Sequence, residues 1–376
     1  MITIFCILIF LIGYTFVGYP VLLKIRVKNR ALHRQKVNYE NKDITVLLIA
    51  CNEEGTIAEK IQNIFSLDYS QEQIKIIVVD DASEDNTVSI VESFDDSRIK
   101  IISNACRSGK AHGLNKGMAL ADTELVMMVD ARQEISLNSL RDLASWFHVG
   151  SKVAAVSGEL KLRTHKSGVE SGMDAYQKYE KFIRKSESLV SGVPGVSGAL
   201  YMLRRDLFSP IPDDTILDDV LIPMLAAKKG HWIGYDDRAI AWDIPSHDLS
   251  REKKRKTRTL NGNYQLLFRN LQWCTPGGHP LWFEYLSHKV SRLTAPFFAI
   301  SVFLISLYLS CHGSYLAGVF NIMFLIVIAL YPMSLAIPAI NKNKLLRIAS
   351  SFVALNWFNL LGFFQYLFTD KKQSWK

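Results

Sequence analysis

The chain is short of the residues that build small stapled or metal-held folds. Its five cysteines (Cys6, Cys51, Cys106, Cys274 and Cys311) include no Cys-x-x-Cys pair, which argues against a structural zinc site and against a dense disulfide framework. Two phosphate-binding signatures are also absent. No Gly-x-Gly-x-x-Gly follows a strand-like run, so a dinucleotide-binding domain is disfavoured, and Gly109-Lys110 lacks both the upstream glycine and the following Ser/Thr of a P-loop. Charge is missing in long blocks: residues 1–23, 293–341 and 348–369 contain no Asp, Glu, Lys or Arg.

What is present is a mixture. Of 376 residues, 49% are hydrophobic and 21% charged, with a net charge of +8. That is too apolar for a disordered chain and too charged for membrane spans alone. A spanning helix needs about 20 apolar residues. The first block predicts one span, the second two with a break at Cys311-His312-Gly313-Ser314, and the third one more. The expected order is a helix over 1–23, a basic linker over 24–42, a soluble domain over 43–270, an interfacial segment over 271–292, and about three helices in 293–376. A cleaved signal peptide is the alternative for the first block, but it has no basic start and no small-x-small cleavage site. Lys24, Arg26, Lys28, Arg30, Arg34 and Lys36 follow it directly. Positive flanks stay in the cytoplasm, so a multi-pass cell-membrane protein with a cytoplasmic domain is expected. Lys342, Lys344 and Arg347 agree with that arrangement, whereas Lys371-Lys372 would fall outside.

Within 43–270, short apolar runs alternate with helix-like segments. Strands are expected at 44–50, 74–79, 99–102, 125–129 and 153–156, with helices at 56–67 and 86–94 between them. Continuous apolar runs suit parallel strands covered on both faces. The fold class is therefore α/β, a doubly wound, mostly parallel sheet flanked by membrane helices. Ligands bind such sheets beyond the carboxyl ends of the strands. Three of those ends carry Asn52-Glu53, Asp80-Asp81 and Asp130. One such end would be a turn or a helix cap more often than a ligand contact; three on one edge point to a site. Acidic ends in place of glycine loops require a metal bridge or cations for a phosphate, and Arg107 and Lys110 could supply the latter. Gly109, Gly113 and Gly117 could equally serve only to let a helix pack closely.

These segments resemble a known family. Val46-Leu-Leu-Ile-Ala-Cys-Asn-Glu-Glu, Ile77-Val-Val-Asp-Asp-Ala-Ser-Glu-Asp-Asn-Thr and Arg107-Ser-Gly-Lys-Ala-His-Gly-Leu-Asn-Lys-Gly, with Asp130, Gly198-Ala-Leu-Tyr-Met-Leu-Arg-Arg and Leu217-Asp-Asp-Val, are similar to family 2 glycosyltransferases with a GT-A fold. The flanking spans resemble the membrane-bound branch of cellulose, chitin and hyaluronan synthases. The resemblance implies an inverting transfer from a nucleotide sugar, UDP-linked, to a glycan or lipid-linked acceptor for cell-surface or extracellular polysaccharide. It implies that Asn52, Glu53 and Asp81 hold the nucleoside, with Arg107 and Lys110 near the diphosphate. Asp130 would hold a divalent cation, Mg²⁺ or Mn²⁺, and Asp219, beside Asp218, would be the catalytic base. Asp218-Asp219 read alone could be a helix N-terminus, and His247 a surface histidine or a metal ligand.

The chain departs from the family pattern twice. The D-x-D motif reads Asp130-Ala131-Arg132, so a second carboxylate is missing; Arg132 could pair with a phosphate oxygen. The Gln-x-x-Arg-Trp motif of processive members is reduced to Arg258, which would grip the diphosphate, with Tyr264 or Gln265 as candidate substitutes. Six of the eight residues from Arg251 to Arg258 are cationic, a run that attracts anionic lipid, with Lys254 and Arg255 expected toward it. Nucleic acid is not an expected partner, because no reader motif accompanies the run. Tyr176, Tyr179, Glu180 and Glu187 share a helical face that could line an acceptor groove or pack on the sheet. The departures leave a competing reading, an inactive membrane-anchored scaffold. A transporter is disfavoured because no charged residue interrupts the spans.

Overall fold

The computed structural model describes residues 1–29, 42–148, 150–163, 172–244, 249–337 and 343–368. Helix α1 (Ile2–Gly13) passes through a π-helical turn, Tyr14–Gly18, into α2 (Tyr19–Asn29). The apolar rod thus continues beyond residue 23 and takes in Lys24, Arg26 and Lys28 before residues 30–41, which lie outside the described residues.

Strand and helix then alternate: β1 (Ile44–Ala50), α3 (Ile57–Phe65), β2 (Ile74–Asp80), α4 (Thr87–Glu92), β3 (Ile99–Ser103), α5 (Lys110–Leu120) and β4 (Leu125–Val129). All four strands are parallel, with Ile44 opposite both Ile74 and Leu125. Ile44, Val46 and Leu48 on one face of β1 and Leu47 on the other are all buried. This two-sided burial is why the strand reads as an unbroken apolar run. Helix α3 meets one face with Ile57, Ile61 and Ile64 at helical spacing. The sheet continues through β5 (Glu134–Ile135), α6 (Ser139–Ala144), β6 (Val153–Leu162), α7 (Gly172–Val190), β7 (Leu200–Arg204), α8 (Asp218–Lys228) and β8 (Trp232–Asp243). Its order is β3-β2-β1-β4-β7-β6-β8-β5. β7 runs antiparallel to both β4 and β6, which makes the sheet mixed.

Helix α9 (Leu249–Arg269) leads to a rod of α10 (Trp282–Glu284), a π turn at Tyr285–Val290 and α11 (Ser291–Cys311). Helices α12 (Tyr315–Ala336) and α13 (Lys344–Phe368) follow. Four helices among the described residues are long and apolar enough to cross a membrane: Ile2–Lys28, Trp282–Cys311, Tyr315–Ser334 and Leu345–Phe368. The break after Cys311 falls where the sequence placed it, but the rod before it starts at Trp282, inside the segment expected to lie at the interface. Helix α9 ties this frame to the sheet domain by close approach. A Cβ on Gly262 would lie 2.6 Å from Leu217 Cγ, and one on Gly362 of α13 would lie 2.6 Å from Leu260 Cβ.

Candidate active site

Because β2, β1 and β4 are neighbouring parallel strands, the residues that follow them emerge on one edge. Asn52 sits there in the left-handed region at φ 56°. Its Oδ1 accepts from the Glu84 amide at 2.9 Å, and its own amide donates to Ser83 Oγ at 2.9 Å. The loops after β1 and β2 are thereby laced together. Asp81 is buried, with 4% exposure. Its Oδ1 accepts from the Ser108 amide at 2.8 Å and Asn104 Nδ2 at 3.0 Å, and its Oδ2 from the Gly109 amide at 2.8 Å. Both oxygens of Asp81 therefore fix the loop that carries exposed Arg107 and delivers Lys110.

Lys110 opens α5, which lies tight on β1 because Gly113 and Gly117 have no side chain. A Cβ at Gly117 would lie 2.3 Å from Leu47 Cδ1, and one at Gly113 would lie 2.9 Å from Ile49 Cγ2. The packing role of these glycines is what the structure displays. So placed, the Lys110 ammonium stands 2.8 Å from Asp130 Oδ1 and 3.7 Å from Asp218 Oδ2. Burial opposes its charge, but Asp130, Asp218 and Asp219 outweigh burial and raise its pKa. Asp218 is buried, and its Oδ2 accepts no hydrogen bond among the described residues. Asp219, the next residue in the first turn of α8, has its pKa raised to about 6 by burial and by the Asp218 charge, against Lys110 and Lys289. Gly198 abuts it, since a Cβ there would lie 3.3 Å from Asp219 Oδ2. Tyr201 of β7 is buried, its hydroxyl also without a hydrogen-bond partner among the described residues. Burial and the charges of Asp218, Asp219 and Asp130 push its pKa well up.

The loop bearing Asp130 has supports that the sequence did not advertise. Lys60, buried at 2% exposure, donates to the Gln133 carbonyl at 2.7 Å. Burial lowers its pKa to about 7, against Asp130 and Glu134. Asn63, one turn further along α3, exchanges two bonds with the Ile135 backbone at 2.9 and 2.8 Å. Arg132 points its Nε to Glu53 Oε1 at 3.0 Å, while Glu53 Oε2 accepts from Thr56 Oγ1 at 2.9 Å. The two site candidates Glu53 and Arg132 are therefore brought together. Arg258 lies half-buried on α9. Gln265 accepts from the Ile216 amide at 3.0 Å and donates to the Asp214 carbonyl at 2.8 Å, fixing the loop that enters α8. Tyr264 donates to Asn359 Oδ1 at 2.7 Å and to the Leu293 carbonyl at 3.0 Å, toward the membrane helices. His247 lies outside the described residues.

The polar face of α7 meets the apolar rods. Glu187, fully buried, accepts from Tyr19 Oη at 2.6 Å and lies 2.9 Å from His288 Nδ1. His288 Nε2 is 3.2 Å from Glu180 Oε2, and Arg292 pairs with the same Glu180. Tyr179 donates to the Phe16 carbonyl at 3.0 Å. Glu187 and Tyr179 are thus docking residues, while Tyr176 stays exposed beside them. No signal in the local pattern foretold these partners.

Residues 45–211 match the family model described as Glycosyl transferase family 2. The chain is similar to the poly-beta-1,6-N-acetyl-D-glucosamine synthase of Staphylococcus epidermidis, 26% identical over 71% of this chain and 66% of that protein. It is also similar to the synthase of the same name from Staphylococcus aureus, 25% identical over 61% of this chain and 57% of that protein. It therefore spans 57–66% of the length of these curated relatives. In three dimensions it resembles the mannosyltransferase PcManGT from Pyrobaculum calidifontis, solved in complex with GDP-Man and Mn2+. That likeness has a TM-score of 0.74 at 21% identity and covers 97% of this chain and 99% of that one. Residues 45–211 are a glycosyl transferase family 2 domain, set on a GT-A-like mixed α/β sheet and joined to four helices of membrane-spanning length.

Proposed function

We propose that this chain transfers a sugar from a nucleotide sugar to a glycan or lipid-linked acceptor at the cytoplasmic face of a cell membrane, with inversion, in the synthesis of cell-surface or extracellular polysaccharide. One observation carries the reading. Asp130 after β4 and Asp218 at the start of α8 both lie within ion-pair range of Lys110 at the start of α5, and Asp219, the next residue, feels the charges of all three. Titratable groups with perturbed pKa values cluster at functional sites. Asp219 takes the proton from the acceptor hydroxyl as that oxygen bonds to the anomeric carbon. The bond from that carbon to the diphosphate breaks on the opposite face, and the nucleoside diphosphate leaves with the electron pair. Lys110 and Arg107 face the charge that develops there.

The residues present fit a divalent cation of the Mg²⁺ or Mn²⁺ class only as a shared ion. No three His, Cys, Asp or Glu side chains cluster among the described residues, yet such cations bind through one or two carboxylates plus substrate phosphates. Asp130, half exposed, would hold the ion. When bound it neutralises charge on the leaving diphosphate. The sequence resemblance implies a UDP-linked donor, and the GDP-Man in the neighbour's structure argues for testing guanosine donors too. Nucleoside diphosphate release from a panel of UDP- and GDP-sugars, with folded full-length protein in detergent, is the test. Release with some donor is expected. No turnover with any donor would favour the scaffold reading, which the Arg132–Glu53 pair in place of a second metal carboxylate supports.

A further inference from the structure

Asp130 has a cation in direct contact and lacks the second carboxylate of its motif. Two residues on, the missing second acid is replaced by Arg132, whose guanidinium is held by Glu53. On the other side Lys110 makes a 2.8 Å ion pair with Asp130 Oδ1, its side chain 24% exposed and that of Asp130 39%. Lys110 is not free to drift. It is the first residue of α5, Gly109 before it turns through φ 91°, and the loop behind is pinned by three hydrogen bonds to Asp81. The same ammonium is 3.7 Å from Asp218 Oδ2, a buried oxygen with no hydrogen bond among the described residues. A divalent cation approaching Asp130 would therefore have to share its oxygens with a resident cation. Like charges at that range repel strongly in a partly buried setting. A diphosphate reverses the balance, because it offers Lys110 anionic oxygens of its own and gives the metal further ligands.

We infer that Lys110 is an internal counter-ion that keeps divalent metal off Asp130 until a nucleoside diphosphate draws the ammonium away, so that metal and nucleotide bind in obligatory concert. The inference rests on the proposed nucleotide-sugar site and adds the order of its assembly, an order that follows from pairing a single metal carboxylate with a lysine.

The test is Mn²⁺ binding to the full chain in detergent, read by electron paramagnetic resonance of free Mn²⁺ and by calorimetry, with and without UDP or GDP. The Asp130→Asn protein supplies the background from other sites. In the unaltered protein, Asp130-dependent Mn²⁺ affinity is expected to rise at least tenfold when the nucleotide is added. Lys110→Met should bind Mn²⁺ at least tenfold more tightly than the unaltered protein in the absence of nucleotide, and should show a smaller enhancement by the nucleotide, the part that remains coming from the metal's phosphate ligands. Lys110→Arg, which keeps a cation, should resemble the unaltered protein and shows that the effect is one of charge. Equal Mn²⁺ affinity with and without nucleotide, or no gain in Lys110→Met, overturns the inference while leaving the site a nucleotide–metal site. Failure of Mn²⁺ and both nucleotides to bind together at all overturns the proposed function, and this inference with it.

Discussion

The pH dependence of turnover is the most direct probe of the candidate base. Asp219 has a pKa of about 6, raised by burial and by the Asp218 charge, where an ordinary aspartate titrates near 3.9. A general base must be deprotonated to act, so the rate falls as pH drops through the midpoint. One unit below, at pH 5, about a tenth of the base is ionised, and the rate is about a tenth of its plateau. The neighbours give the sign of two further shifts. Asp218→Asn removes the charge that raises Asp219, so the midpoint moves toward the ordinary aspartate range and the relative rate at pH 5 climbs toward its plateau. Lys289→Met removes a cation that stabilises the Asp219 carboxylate, so the midpoint moves up. The assay is donor turnover under single-turnover conditions from pH 4.5 to 8.5, normalised to each protein's own plateau. The shape of the profile is then independent of any loss in height. A profile flat from pH 5 to 8, or midpoints that ignore both substitutions, would refute the assignment of Asp219 as base.

Three other outcomes follow from particular contacts. Asp219→Asn should abolish transfer, by a factor of about 10² or more, while nucleotide affinity by calorimetry stays within a few-fold; equal collapse of binding would show that Asp219 holds the donor instead. Gly117→Ala places a Cβ 2.3 Å from Leu47 Cδ1, and overpacking of this kind costs about 1–3 kcal/mol. The melting temperature should drop, and an unchanged value would mean that α5 can lift off β1 freely. Tyr19→Phe removes the 2.6 Å bond to buried Glu187, which costs about 1–3 kcal/mol when a buried acceptor loses its donor. Lower thermal stability in detergent is expected, and a neutral effect would show that Glu187 finds another donor.

How far the fold could be read from the residues depended on where each interaction lived. β1, β2 and β4 were legible because burial on both faces leaves an apolar run with turn residues at its end, and parallel neighbours must then present Asn52, Asp81 and Asp130 along one edge. β7 and β8 were not. Leu200–Arg204 follows a glycine-rich stretch, and Trp232–Asp243 is interrupted by Asp236, Asp237 and Arg238, whose charges find partners in three dimensions. Arg238 lies 3.4 Å from Asp142, and Asp237 lies 3.1 Å from Lys185. Charged residues that are paired across the fold look, in one dimension, like loops.

The membrane-side network was illegible for a deeper reason. Tyr19 and Glu187 are 168 positions apart, and Glu187 and His288 are 101 apart, so no window along the chain contains them together. The two rods that supply Tyr19 and His288 each carry a π turn, at Tyr14–Gly18 and at Tyr285–Val290, and the turns touch through a 2.8 Å contact between Tyr14 Oη and Ser287 Oγ. A π turn inserts one residue into a helix with about 3.6 residues per turn, which rotates everything beyond it by about 100°. Apolar runs carry no facial pattern against which such a rotation could be noticed. Yet the rotation decides whether Tyr19 and His288 point into lipid or onto α7, the helix whose far end runs into the loop beside Asp219. Asp81 and Asp130 are therefore set by strand ends that a sequence displays openly, and the docking of the sheet domain on the apolar rods by helix irregularities that it conceals.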